Sequence, residues 1–199
     1  MERPSPFEIT GKLPDWAIKE HIKKGLIRID PLPDNWEEKV DPVSIDLRLG
    51  NTLKVFTPDG SNTIDTRYSD REDIERMMQV IKLKEGQPFV LSQGEFVIAT
   101  TLETLILPDN IVGTLEGKSS RARLGILVHS TAARFDPGWD GKPVLEFGSL
   151  LPDKRILLYY GDPICAFSFD RLAYPVEKPY GGINAGQYGG DMPQGFKPK

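Results

Sequence analysis

Glycine and proline punctuate this chain at short intervals. There are 19 Gly and 17 Pro in 199 residues, against a usual combined share of ~12%. Between them lie short apolar or alternating runs. Val43-Ser44-Ile45-Asp46-Leu47-Arg48-Leu49 alternates strictly, and Gly50-Asn51 is expected to end it. Further strands are expected over 52–56, 89–91, 96–101, 111–115, 126–131, 144–147, 156–160 and 164–169. Many short strands separated by turn residues predict a mainly β chain, an antiparallel sandwich or barrel with few helices.

Two segments read as helices. Asp15 is placed to cap one that runs to Lys24 and stops at Gly25, with Trp16, Ile18 and Ile22 on its apolar face. Ser69-Asp70-Arg71-Glu72 has the form of a capping box. Ile74, Met77, Met78 and Ile81 follow it at i, i+3, i+4 and i+7, which predicts a one-faced helix. Residues 1–179 read as one domain. From Tyr180 the character changes: 180–199 is rich in Gly and poor in apolar residues, so it cannot build a core. It reads either as a loose terminus or as a lid over a ligand, with Tyr180, Gln187 and Tyr188 supplying contacts.

Several classes are excluded early. One Cys and two His, scattered at His21, His129 and Cys165, show no zinc-ligand spacing and allow no disulfide. A net charge of -4 argues against non-specific nucleic-acid binding, which needs a basic face. No run approaches the ~18 apolar residues of a membrane span, and the N-terminus lacks the apolar run of a signal peptide. A free Cys fits a reducing cytoplasm.

The residues suited to chemistry crowd between 117 and 147. Gly117-Lys118-Ser119-Ser120-Arg121-Ala122-Arg123-Leu124-Gly125 places hydroxyls and cations at a predicted helix start, where backbone N–H groups favour an anion. Taken alone, an ordinary Ser cap with solvated basic residues accounts for it better. Next, Pro137-Gly138 marks a turn. It sets Arg134, Asp136 and Trp139 near a strand end, where binding residues often sit. In Val144-Leu145-Glu146-Phe147 the alternation puts Leu145 and Phe147 on one face, Val144 and Glu146 on the other. A carboxylate in an apolar strand is costly to bury unless paired, so Glu146 is a candidate proton shuttle if it faces a cleft, and a solvated surface residue otherwise. His129 and Cys165 receive no role.

In order and spacing these pieces resemble the dCTP deaminase family of the trimeric dUTPase superfamily. The resemblance is carried by Ser44 to Gly50, Gly117 to Gly125, His129 to Trp139, Val144 to Phe147, Ala166-Phe167-Ser168-Phe169 and Pro179-Tyr180. It implies a distorted β-barrel or jelly roll, a homotrimer with active sites between subunits, and conversion of dCTP to dUTP and ammonia without zinc. It implies Glu146 as general base and acid, Arg123 as its holder, and Ser119 with backbone near Ala132 to orient water. It gives phosphate contacts to Lys118, Ser119 and Ser120, base and sugar contacts to Arg134, Phe135 and Asp136, with Trp139 beside them, and closure of the tail through Tyr180 and Gln187. Mg would arrive on the nucleotide phosphates. The chain departs from the family pattern at Lys118, Arg121, Ala133, Gln187 and Asp191. Two alternatives stand beside deamination alone: a dUTP diphosphatase or bifunctional enzyme yielding dUMP, for which Asp136 is the motive, and a non-catalytic nucleotide-binding homologue.

Overall fold

The computed structural model describes residues 3–57, 63–65, 67 and 71–180. Its frame is one antiparallel sheet. In spatial order it runs Ile126–Leu127, Val144–Ser149, Phe96–Thr101, Ser44–Phe56, Pro163–Arg171, Ile111–Gly117 and Arg134–Phe135. Met78–Lys82, Val40–Asp41 and Gly11–Lys12 pair onto it from the side. The α-helices among the described residues are short: Asp15–Lys23, Arg71–Arg76 and Ser119–Ala122. The mainly β architecture expected from the spacing of turn residues is the one found.

Ser44–Phe56 joins the two halves of the sheet. Its first part pairs with Pro163–Arg171, in register Phe167 to Ile45 and Ala166 to Asp46. Its second part pairs with Met78–Lys82 and Phe96–Thr101. Gly50-Asn51 does not end this strand; the chain passes through them. Between Leu49 and Leu53 it takes four steps while its partner takes two, from Thr101 to Ala99. That bulge needs close approach: a Cβ on Gly50 would lie 2.7 Å from the Thr100 carbonyl oxygen. Only glycine leaves that space, and bulges mark such positions.

Alternation along the strands builds the core. Ile45, Leu47, Leu49 and Leu53 are buried, as are Leu145, Phe147, Phe167 and Phe169. Each such side chain contributes about 1.5–3 kcal/mol when fully withdrawn from water. Cys165 is buried among them and burial pushes its thiol pKa up, as expected for a small packing residue.

Both helix expectations need correction. Pro14, not Asp15, is the cap of the first helix, and no side chain caps it. Asp15 instead opens the first turn, where its charge still suits the helix dipole. The helix packs through Ala17, Ile18 and His21, which are buried, and the expected Trp16 and Ile22 lie partly buried against the same core. The helix expected to run through Ile81 ends at Arg76, and Met78–Lys82 is a strand beside Thr52–Phe56. The proposed capping box rests on Ser69 and the Glu72 side chain, which lie outside the described residues. The strand expected over 126–131 is confined to Ile126–Leu127; beyond Val128 the chain leaves the ladder until Arg134–Phe135.

Candidate active site

Glu146 stands on the face predicted for it. Leu145 and Phe147 are buried, whereas Glu146 and Val144 are half-buried on the other face. The strand Val144–Ser149 fixes its backbone between Ile98 on one side and Val128 on the other, whose carbonyl accepts the Glu146 N–H at 3.0 Å. The Ser130 N–H then donates to Glu146 Oε2 at 2.8 Å. One oxygen is therefore held by backbone, and Oε1 has no protein partner among the described residues. A carboxylate with one anchored and one open oxygen can exchange a proton without losing its orientation.

Lys118 and the helix Ser119–Ala122 follow directly on Ile111–Gly117. The Lys118 backbone is extended, at φ -70 and ψ 129, immediately before the helix, and no side chain caps it. Ser119 and Ser120 are exposed, with their hydroxyls unclaimed by any described residue. The cations are not equally free. Lys118 Nζ is paired with Asp46 Oδ2. Arg121 reaches Asp162 at 3.4 Å. Arg123 is exposed and makes no ion pair among the described residues, so the expected Arg123–Glu146 contact is not made within one chain.

The turn Asp136-Pro137-Gly138-Trp139 is closed by the Trp139 N–H donating to the Asp136 carbonyl at 3.1 Å. Arg134 and Asp136, both exposed, pair at 2.8 Å. Ala132 is exposed, and the Ala133 carbonyl accepts the Leu115 N–H at 2.8 Å. Phe135 and Trp139, expected to contact substrate, turn their rings inward. Their rings are in the core at 6% and 7% exposure, edge to face at 4.8 Å, with Phe135 5.0 Å from Phe167. They hold the turn from behind.

Tyr180 is docked onto this turn. Its N–H donates to the Pro137 carbonyl at 2.8 Å, and its ring lies 5.0 Å from that of Trp139. Gly138, at φ +84, leaves room for it: a Cβ there would sit 2.7 Å from Pro179 Cβ and 3.0 Å from the Tyr180 nitrogen. Gln187 and Asp191 lie outside the described residues. The sequence reading missed two groups. One is the Ser130 N–H, which no side-chain pattern announces. The other is Asp46, visible in the alternating run but without a reason to single it out until its Lys118 contact is seen. Among the described residues no cluster of three or more His, Cys, Asp and Glu is placed to hold a metal, and no helix is long and apolar enough to cross a membrane.

A curled antiparallel sheet that displays one anchored carboxylate, two open hydroxyls and a set of cations defines a β-sheet enzyme with a polar site. More particularly, the chain belongs to the dCTP deaminase-like family, whose sequence model matches residues 12–172. It is 41% identical over 170 residues to a protein of Dictyoglomus thermophilum named "dCTP deaminase, dUMP-forming", covering 84% of each chain. It is 42% identical over 178 residues to "dCTP deaminase" of Thermomicrobium roseum, covering 89% of this chain and 88% of that one. The 2'-deoxycytidine 5'-triphosphate deaminase from Agrobacterium tumefaciens superposes with a TM-score of 0.61 at 25% identity. That match covers 81% of this chain and 48% of the other.

Proposed function

We propose that this chain deaminates dCTP to dUTP and ammonia, with Glu146 as the proton carrier. The observation that carries the reading is the geometry of Glu146: Oε2 held by the Ser130 N–H at 2.8 Å, Oε1 open. Water gives one proton to Glu146 and its oxygen attacks C4 of cytosine. That proton passes to N3. The second proton of the original water passes, again through Glu146, to the amine. The C4–N bond breaks, ammonia leaves and C4=O forms. Ser119 and backbone near Ala132 orient the water. Lys118, Ser119 and Ser120 take the phosphates; Arg134 and Asp136 take sugar and base. Mg enters as part of the substrate, bound to its triphosphate.

Arg123 completes this site from a second copy of the chain, in a homotrimer. Two observations support that reading. Arg123 is exposed and makes no ion pair among the described residues. Leu124, Leu127 and Leu150, at 46%, 42% and 62% exposure, lie on the segments next to it and to the Glu146 strand, an apolar surface suited to burial against another subunit. Sedimentation tests the assembly; a monomer that turns over dCTP at full rate would refute it.

Replacement of Glu146 by Gln keeps an acceptor for the Ser130 N–H and removes the proton carrier. Ammonia release should fall by at least ~10²-fold while dCTP still binds in a calorimeter. Retained ammonia release would end the mechanism. A second reading has its own support: relatives at about the same identity carry the words dUMP-forming in their names. In that case Asp136 activates a second water against the α-phosphate, and dUMP and pyrophosphate appear. Incubation of dCTP with Mg, followed by assay of ammonia and pyrophosphate, separates the two. Binding without either product would identify a non-catalytic homologue.

A further inference from the structure

Among the described residues the Asp46 side chain makes one hydrogen bond, to Lys118. It caps no helix and closes no turn. It lies on the half-buried face of the long strand, opposite Ala166. Its Oδ2 receives Lys118 Nζ. Its Oδ1 is buried and has no partner among the described residues. An unpaired buried carboxylate oxygen is costly, so the carboxylate is retained at this place against its own solvation. The one contact that offsets the cost is Lys118. The pair is four-fifths buried, 20% exposed at Asp46 and 21% at Lys118, and is thus less screened than a surface ion pair.

We infer that Asp46 is a positioning residue for the triphosphate: it holds the Lys118 ammonium in place, so that its remaining N–H donors face the incoming phosphate. The inference deepens the proposed deaminase reading and rests on it for the phosphate role of Lys118. A lysine ammonium has three donors. One goes to Asp46 and no other described residue takes the remaining two. A free lysine stem carries large rotamer freedom, which is lost when the ammonium is fixed on an anion. A carboxylate on a rigid central strand removes that loss before the nucleotide arrives. It also explains how Lys118 can serve where a planar, self-orienting guanidinium would otherwise be chosen: orientation that an arginine fork carries within itself is here supplied by a second side chain. Arg121 pairs with a different carboxylate, Asp162, and that contact is left untouched by the test.

The test is a double-mutant cycle on steady-state kinetics with dCTP and Mg, using full-length Asp46→Asn, Lys118→Met and the double variant. Asp46→Asn should raise KM about five- to tenfold, the size of one weakened charge-assisted contact, with kcat within about twofold. In the Lys118→Met background the same change should raise KM no further, because two residues acting through one contact are not additive. With dCMP, which lacks the outer phosphates, Asp46→Asn should have no effect on binding measured by calorimetry. If Lys118→Met raises KM and Asp46→Asn does not, or if Asp46→Asn raises it equally in both backgrounds, the positioning role is wrong and the deaminase reading stands. If Lys118→Met leaves KM unchanged, the phosphate role of Lys118 fails and the inference fails with it. Should Asp46→Asn lose its cooperative melt, Asp46→Ser is read by the same criteria.

Discussion

Gly138 is the position at which a single methyl group should separate Tyr180 from the rest of the fold. Its φ of +84 lies in the left-handed region, where an L-residue costs about 1–2 kcal/mol. The added Cβ would also stand 2.7 Å from Pro179 Cβ and 3.0 Å from the Tyr180 nitrogen. Neither atom is the tip of a flexible side chain, so the segment 179–180 has to move away. That movement gives up the 2.8 Å hydrogen bond from Tyr180 to Pro137, about 1 kcal/mol. It also gives up the ring contact at 5.0 Å with Trp139, about 0.5–1.5 kcal/mol. Local opening at Tyr180 should therefore become easier by about 1.5–2.5 kcal/mol, or roughly 10- to 70-fold. Amide hydrogen exchange reads this directly. In Gly138→Ala the Tyr180 amide should exchange at least about tenfold faster. The Leu115 amide, bonded to the Ala133 carbonyl at 2.8 Å inside the sheet, should change only with the global stability. Unchanged protection at Tyr180 would show that the glycine is not what seats this residue. An equal loss at both amides would show that the strain is spread through the whole fold.

Other perturbations follow from contacts already described or from the same sheet. Gly113→Ala places a Cβ 2.3 Å from Phe167 Cε1, and overpacking at that centre should cost at least about 1–3 kcal/mol by urea denaturation; a neutral result would mean the ring moves freely. Glu103 is 2% exposed and accepts from both Arg48 Nε at 2.6 Å and the Arg48 N–H at 2.9 Å. Glu103→Gln should lower stability by about 2–3 kcal/mol, and a loss under about 0.5 kcal/mol would contradict that bonding. His21 has a lowered pKa, first because it is buried, although the Ala17 carbonyl 2.8 Å from Nδ1 acts the other way. The unfolded chain then takes up the His21 proton at a higher pH than the folded one. Stability should rise with pH from the lowered folded value up to about 6.5 and gain nothing further from this group above it. His21→Gln should flatten that part of a urea-midpoint profile; an identical slope in both proteins would refute the assignment.

Local pattern carried much of the architecture. The strand at Phe96–Thr101 has the bounds its residues suggest, and the alternation at 144–147 correctly sent Glu146 away from Leu145 and Phe147. What failed was decided by partners distant in sequence. Ile74, Met77, Met78 and Ile81 have helical spacing, yet Met78 and Ile81 pair with Phe56 and Leu53. The ladder offered by that strand outweighs a helix whose face would bury little. Gly50-Asn51 reads as a stop but serves as a bulge, because the neighbouring strand continues past it. Phe135 and Trp139 sit in a binding-type sequence, and only the packing of Phe167 behind them turns their rings inward. The carboxylate and the cations of the site were legible as residue types. Their pairing, Lys118 with Asp46 and Arg121 with Asp162, was not, since each joins segments that only the completed sheet brings together.

The bulge in Ser44–Phe56 also sets how this strand can change length. Leu49 and Leu53 both face the core, four steps apart along the chain against two steps on the partner. Loss of two residues from 50–52 would close the bulge and leave both leucines inward. Loss of one would reverse every side chain on one side of the break, turning Asp46 and Arg48 towards the apolar core or Leu53 away from it. Shortening of this strand is thus governed by parity, with a two-residue deletion tolerated better than the smaller one.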